Sequence, residues 1–229
     1  MTHEQMRAGR LKAALTQVEA AERLGVSQPY LSQLEKGERP ITPELARAAA
    51  VLYRLPATAL PIVESVVRDA SADPDKLARQ LAGLGYPGFA HLRPTKENPA
   101  TVLLEALVKD DLDVRLAEGL PWVVLKYPDL DWAWLIRELK LRDAQNRLGF
   151  VVALAREIAA TQPQFRTALE QISRVANELE RSRLAREDTF CRESMTQAER
   201  EWLATTRSAL ARHWNLLTGL SADQLSHVY

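Results

Sequence analysis

The chain is poor in the residues that cross-link or anchor a protein. Of its 229 residues one is cysteine, Cys191, so neither an internal disulfide nor a cysteine metal cluster can form, and the composition fits a reducing compartment. A lone thiol in a polar helical stretch reads as inert. No run approaches the ~18 apolar residues of a membrane span. The opening MTHEQMRAGRLKAALTQ is amphipathic and charged rather than apolar, so no secretory leader is expected and the chain reads as cytoplasmic, with no membrane partner. Excess charge is missing as well: 30 Lys and Arg balance 30 Asp and Glu, which argues neither for nor against nucleic acid. Residues 1–60 hold eight basic and six acidic side chains, a local balance of +2. Fixed-period repeats and low-complexity tracts are absent. So are catalytic signatures: His3, His91, His213 and His227 are scattered, with no HExxH, no Gly-x-Ser-x-Gly, no P-loop and no dinucleotide fingerprint. No catalytic residue, metal site or cofactor is expected, and the chain does not read as an enzyme.

What is present is helical pattern. Apolar residues recur at three and four, and alternation of β-branched residues is nearly missing, which predicts an all-α protein. Thr2 with Gln5 has the form of a capping box for a helix through about Ala14, and Thr16 opens a second helix that stops at Gly25. Ser27 caps a third, with Pro29 in its first turn and Gly37 closing it; Thr42 and Pro43 open a fourth running to about Tyr53. A fifth, apolar at Leu60, Val63 and Val67, is expected to follow. Asp73-Pro74 starts another bearing Leu77, Leu81 and Leu84, and the Gly- and Pro-rich segment 85–99 reads as a linker. The domains expected are residues 1–70, a helix and linker over 71–99, and a helical domain over 100–229.

VSQPYLSQLEKGERP, residues 26–40, crowds Gln, Ser and Tyr between a Gly and a Pro. Two helices of eight to ten residues joined by a tight turn at LGVS have the dimensions of a helix-turn-helix, whose second helix lies in the DNA major groove. Leu11, Leu15, Val18, Ala21, Leu24, Val26, Leu31 and Leu34 form its expected core, leaving Gln28, Tyr30, Ser32 and Gln33 outward or oblique. Glutamine offers a donor and an acceptor together, matching the N6 and N7 edge of adenine, so these four are the candidate base readers. Thr16 and Gln17, at a helix start, and the cations Arg10, Lys36 and Arg39 are candidate phosphate contacts.

Residues 15–55, LTQVEAAERLGVSQPYLSQLEKGERPITPELARAAAVLYRL, resemble the Cro/XRE family of phage-repressor-type helix-turn-helix domains. Thr16-Gln17, Ala21, Leu24-Gly25-Val26-Ser27, Leu31-Ser32, Leu34-Glu35 and Gly37 carry the resemblance, which covers about residues 3–65. It implies a five-helix fold that binds double-stranded DNA as a dimer, with Gln17 on a phosphate, Gln28 and Gln33 on bases, and Glu35 a fold-stabilising partner of Arg10. Ala14 departs from it, standing where many members carry Gly.

Trp122, Trp132 and Trp134 mark apolar helical segments read as core rather than as a ligand pocket. Asp110, Asp111 and Asp113 cluster where a helix starts and read as caps rather than as metal ligands. Residues 127–155 resemble the helical C-terminal parts of regulators encoded beside nucleotidyltransferase-like toxins. Farther on, Leu169, Ile172, Ala176 and Leu179 are spaced 3-4-3, and Leu203, Arg207, Leu210, Trp214 and Leu217 are spaced 4-3-4-3. These draw two narrow seams, expected on two long helices folded as a hairpin and serving as a homodimer interface. The leading expectation is a sequence-specific transcriptional repressor on a palindromic operator. The alternatives are an antitoxin whose C-terminal helices silence a toxin, and a regulator that senses a small-molecule effector.

Overall fold

The computed structural model describes residues 1–62 and 75–225. Its contacts divide the chain into two units, Met1–Val63 and Glu64–Tyr229. Both are helical, and the described residues contain only two strands, of two residues each. No helix among them is long and apolar enough to cross a membrane.

In the first unit four helices follow their caps. Thr2 and Gln5 close a reciprocal capping box on α1 (His3–Lys12), and Thr16 and Glu19 close another on α2 (Gln17–Leu24). Gly25 ends α2 with φ +69°, a left-handed value glycine adopts without a Cβ clash. Ser27 caps α3 (Gln28–Glu35), with Pro29 in its first turn, and Thr42 caps α4 (Pro43–Leu52). A 3-10 turn, Ala57–Ala59, follows and leaves Leu60 buried. Val63 and Val67 of the expected fifth helix lie outside the described residues. Met6, Ala20, Ala21, Leu31, Leu34, Ala49 and Tyr53 form the core, with Leu15, Leu24, Val26 and Tyr30 half-buried against it.

Two expected core residues are outside it: Leu11 and Val18 are 58% and 64% exposed. The buried stripe of α1 is Met6, Gly9, Arg10 and that of α2 is Ala20, Ala21, with Gln17 and Leu24 half-buried at its ends. Each stripe runs at three and four through a residue that is not apolar, so Leu11 and Val18 sit one position off it.

The second unit is built around α9 (Gln145–Thr161), buried on nearly every side from Gln145 to Ala155. Before it come α5 (Lys76–Leu84), α6 (Pro99–Leu107), α7 (Val114–Lys126) and α8 (Trp132–Lys140). Asp75 precedes α5, whose expected start at Asp73-Pro74 lies outside the described residues. The segment 85–99 is a loop, yet it is packed rather than free: Tyr86, Phe89 and Asn98 are buried, and a Cβ on Gly83 would lie 2.1 Å from the Thr95 carbonyl oxygen. Trp122, Trp132 and Trp134 are core, Trp122 packing against Tyr86 and Tyr127. Asp113 caps α7 as expected, whereas Asp111 accepts from the Ser194 backbone and hydroxyl.

The long C-terminal hairpin is replaced by shorter pieces. After α10 (Leu169–Glu180) the chain makes β1 (Asp188–Thr189), α11 (Gln197–Thr206), α12 (Ala209–His213), β2 (Leu216–Leu217) and α13 (Ala222–Leu225). Ser208 caps a new helix where the seam was to run on, and Asn215, with φ +52°, turns the chain so that β2 pairs in parallel with β1. The side chains expected at a dimer interface are turned into their own unit. Ile172 and Leu179 are fully buried in α10, which packs along α9; Leu203, Trp214 and Leu217 are buried as well, and Leu169 and Leu210 are half-buried. Trp214 fits over Gly149 of α9, where a Cβ would meet the indole at 2.2 Å. One buried cation ties these pieces together. Arg147 donates from Nε and Nη2 to Asp188 at 2.8 and 3.1 Å, and from Nη1 to the carbonyls of Leu107 and Lys109. Cys191, fully buried beside it, has its thiol pushed up to about 12, chiefly by burial.

Candidate nucleic-acid interface

The turn between α2 and α3 sets two helix starts side by side, and a chain of polar contacts holds them. Arg10 of α1 donates from Nε and Nη2 to the two carboxylate oxygens of Glu35, at 2.6 and 2.9 Å, and from Nη1 to the Leu15 carbonyl. Both side chains are buried, so each charge relies on the other. Glu35 also accepts from Gln17 Nε2 at 2.9 Å, and Gln17 Oε1 accepts from Gln28 Nε2 at 2.8 Å. The relay runs from the core to the rim of α3. Burial would raise the Glu35 carboxyl, but hydrogen bonds from Arg10 and Gln17, with the charges of Arg10 and Arg7, outweigh it and hold it below the usual carboxylate range. Tyr53, near this pair, is pushed up to about 12 by burial and then by the Glu35 charge, and its hydroxyl is buried without a partner among the described residues.

The candidate readers fall into two groups. Gln28 spends one amide hydrogen on Gln17 and keeps its carbonyl oxygen and second hydrogen, still a donor and acceptor pair. Gln33 and Ser32 are half-exposed on α3, and their side chains have no hydrogen-bond partner among the described residues. Tyr30 differs: its ring packs against the core, with the Arg39 guanidinium 5.6 Å from its centroid. Among the phosphate candidates, Lys36 and Arg39 are exposed. The Thr16 hydroxyl is committed to the capping box with Glu19, and Gln17 spends its side chain on Glu35 and Gln28. What this helix start leaves open is the backbone N–H of its first residues. Arg10 points inward, into the ion pair that the family resemblance implies. The linkage of Gln17 to Gln28 carries no signal in residue spacing, since the two are 11 residues apart on different helices.

Two short helices, a left-handed glycine turn and a capped second helix with a polar outer face define a helix-turn-helix domain. Residues 6–60 match the helix-turn-helix family model, in agreement with the Cro/XRE resemblance. The chain is similar to a propionyl-CoA carboxylase regulator of Cereibacter sphaeroides, with 36% identity over 132 residues covering 49% of this chain and 28% of that protein. It therefore spans well under half the length of this curated relative. No solved structure matches the chain.

Proposed function

We propose that the protein is a DNA-binding transcriptional regulator, not an enzyme, acting in the cytoplasm as a repressor on a palindromic operator. The observation that carries the reading is α3: it is capped, fixed by the relay from Arg10, and keeps Gln28, Ser32 and Gln33 free to hydrogen-bond at its outer face. Such a helix reads only a few base pairs, so a dimer presenting two heads about 34 Å apart supports useful discrimination. Its contact surface lies elsewhere than Ile172, Leu179, Leu203, Trp214 and Leu217, which are buried. The name of the relative favours a metabolic gene over a toxin as the target of control.

Selection of bound sites from random DNA by the full chain is expected to return an inverted repeat with half-sites one helical turn apart; absence of any enriched motif overturns the reading. Against the selected site, Gln28→Ala and Gln33→Ala are each expected to cost roughly 1–3 kcal/mol and to relax preference at one base position. Arg39→Ala is expected to weaken all sequences alike and to lower the salt slope by about 1. A change of base preference in Arg39→Ala with the slope intact would reassign that residue to readout.

A further inference from the structure

The second unit contains a cavity of about 270 Å³ that the helix-turn-helix reading does not use. Its floor is apolar and buried: Ala117, Phe190, Met195, Leu203, Leu217 and Leu220. Met195, Leu203 and Leu217 form a hydrophobic cluster of their own. The mouth is of another character, with exposed Val114, Arg192 and Gln224 and half-exposed Glu118. A small, largely apolar concavity with a few polar groups at one end is the usual form of a small-molecule site.

Arg192 gives the mouth its chemistry. One of its nitrogens, Nη2, donates to Glu199 at 2.8 Å, while Nε and Nη1 have no acceptor among the described residues. Glu199 is itself held by Thr196, accepting at 2.8 Å from both its backbone and its hydroxyl, so the guanidinium is oriented by a fixed anion and keeps free N–H donors. A cation with spare N–H donors suits a carboxylate, whereas an ammonium is repelled and a hydroxyl lacks the charge. We infer that this cavity binds a small amphiphile, an apolar body on the floor and a carboxylate at Arg192. The assignment does not rest on the DNA-binding reading, because its test involves no DNA and its readout lies in the other unit.

The chain supplies a reporter. It has three methionines, of which Met195 lines the cavity while Met1 and Met6 belong to the first unit. With the full chain labelled at methionine methyl groups, NMR titration with octanoate is expected to move the Met195 resonance in a saturable way and to leave Met1 and Met6 still. Octanol and octylamine are expected to bind more weakly. Arg192→Ala, a change at an exposed ion pair worth little to the fold, is expected to weaken octanoate by about tenfold and leave octanol unchanged. Ala117→Phe, which fills the floor, is expected to abolish the shift; should it fail to fold, Arg192→Ala carries the test. A still Met195 with all three probes overturns the site. Equal binding of octanoate and octanol, stronger binding of octylamine, or indifference to Arg192→Ala overturns the carboxylate assignment.

Discussion

At the scale of the residue, Ala14 and Glu35 show how single side chains set the stability of the reading head. Ala14 has φ +56°, a left-handed conformation that costs a residue with a Cβ roughly 1–2 kcal/mol. Glycine escapes that cost but loses more entropy on folding, roughly 0.5–1 kcal/mol. Ala14→Gly is therefore expected to stabilise the first unit by roughly 0.5–1 kcal/mol, measured by urea unfolding; a lower midpoint would show that the strain is relieved locally. Glu35 supplies the pH dependence. Its carboxyl is held below its unfolded value near 4.3, so its contribution is full above that value and disappears as pH falls through the lower, folded one. Denaturant midpoints are expected to drop on acidification below about pH 4.3, and Glu35→Gln should lower stability at pH 7, because Arg10 is then buried unpaired. The Arg10 and Glu35 pair is legible in the sequence only through the family resemblance, since 25 residues separate them. Leu11 and Val18 are misplaced by hydrophobicity alone because the stripes they flank run through Arg10 and Gln17.

Elements were easiest to read where a local signal closes them. Thr2, Thr16, Ser27 and Thr42 each cap the helix their sequence context announces, because a cap is a contact between residues two or three apart. The seam from Leu203 to Leu217 fails for the complementary reason. A spacing of three and four survives a break between helices when both pieces face the same core, and a two-residue strand is too short to show its own period. What fixes that segment is distant in sequence: Trp214 against Gly149, Asn146 Nδ2 donating to the Trp214 carbonyl at 2.9 Å, and Arg207 paired with Glu187 at 2.7 Å. Gly149→Ala is expected to destabilise the second unit by about 1–3 kcal/mol, since the new methyl must displace a close-packed ring. Thermal unfolding followed by tryptophan fluorescence would show it, and an unchanged transition would mean that Trp214 moves aside freely.

For the molecule as a whole, the chain divides into Met1–Val63 and Glu64–Tyr229, and the core cluster of the reading head is built from residues of the first unit. The segment beyond Thr161 is a different matter: removing it would strip α10 and Trp214 from α9 and expose the centre of the second unit. The buried Cys191 turns this division into something observable. As the sole thiol of 229 residues, sealed in the second unit and resistant to ionisation, it reacts with an aromatic disulfide reagent only when that unit opens. Its labelling rate is expected to rise about tenfold for each 1.4 kcal/mol lost there, so that Gly149→Ala hastens it while Ala14→Gly leaves it unchanged. The chain thus has a built-in clock that runs for one of its halves and is silent about the other.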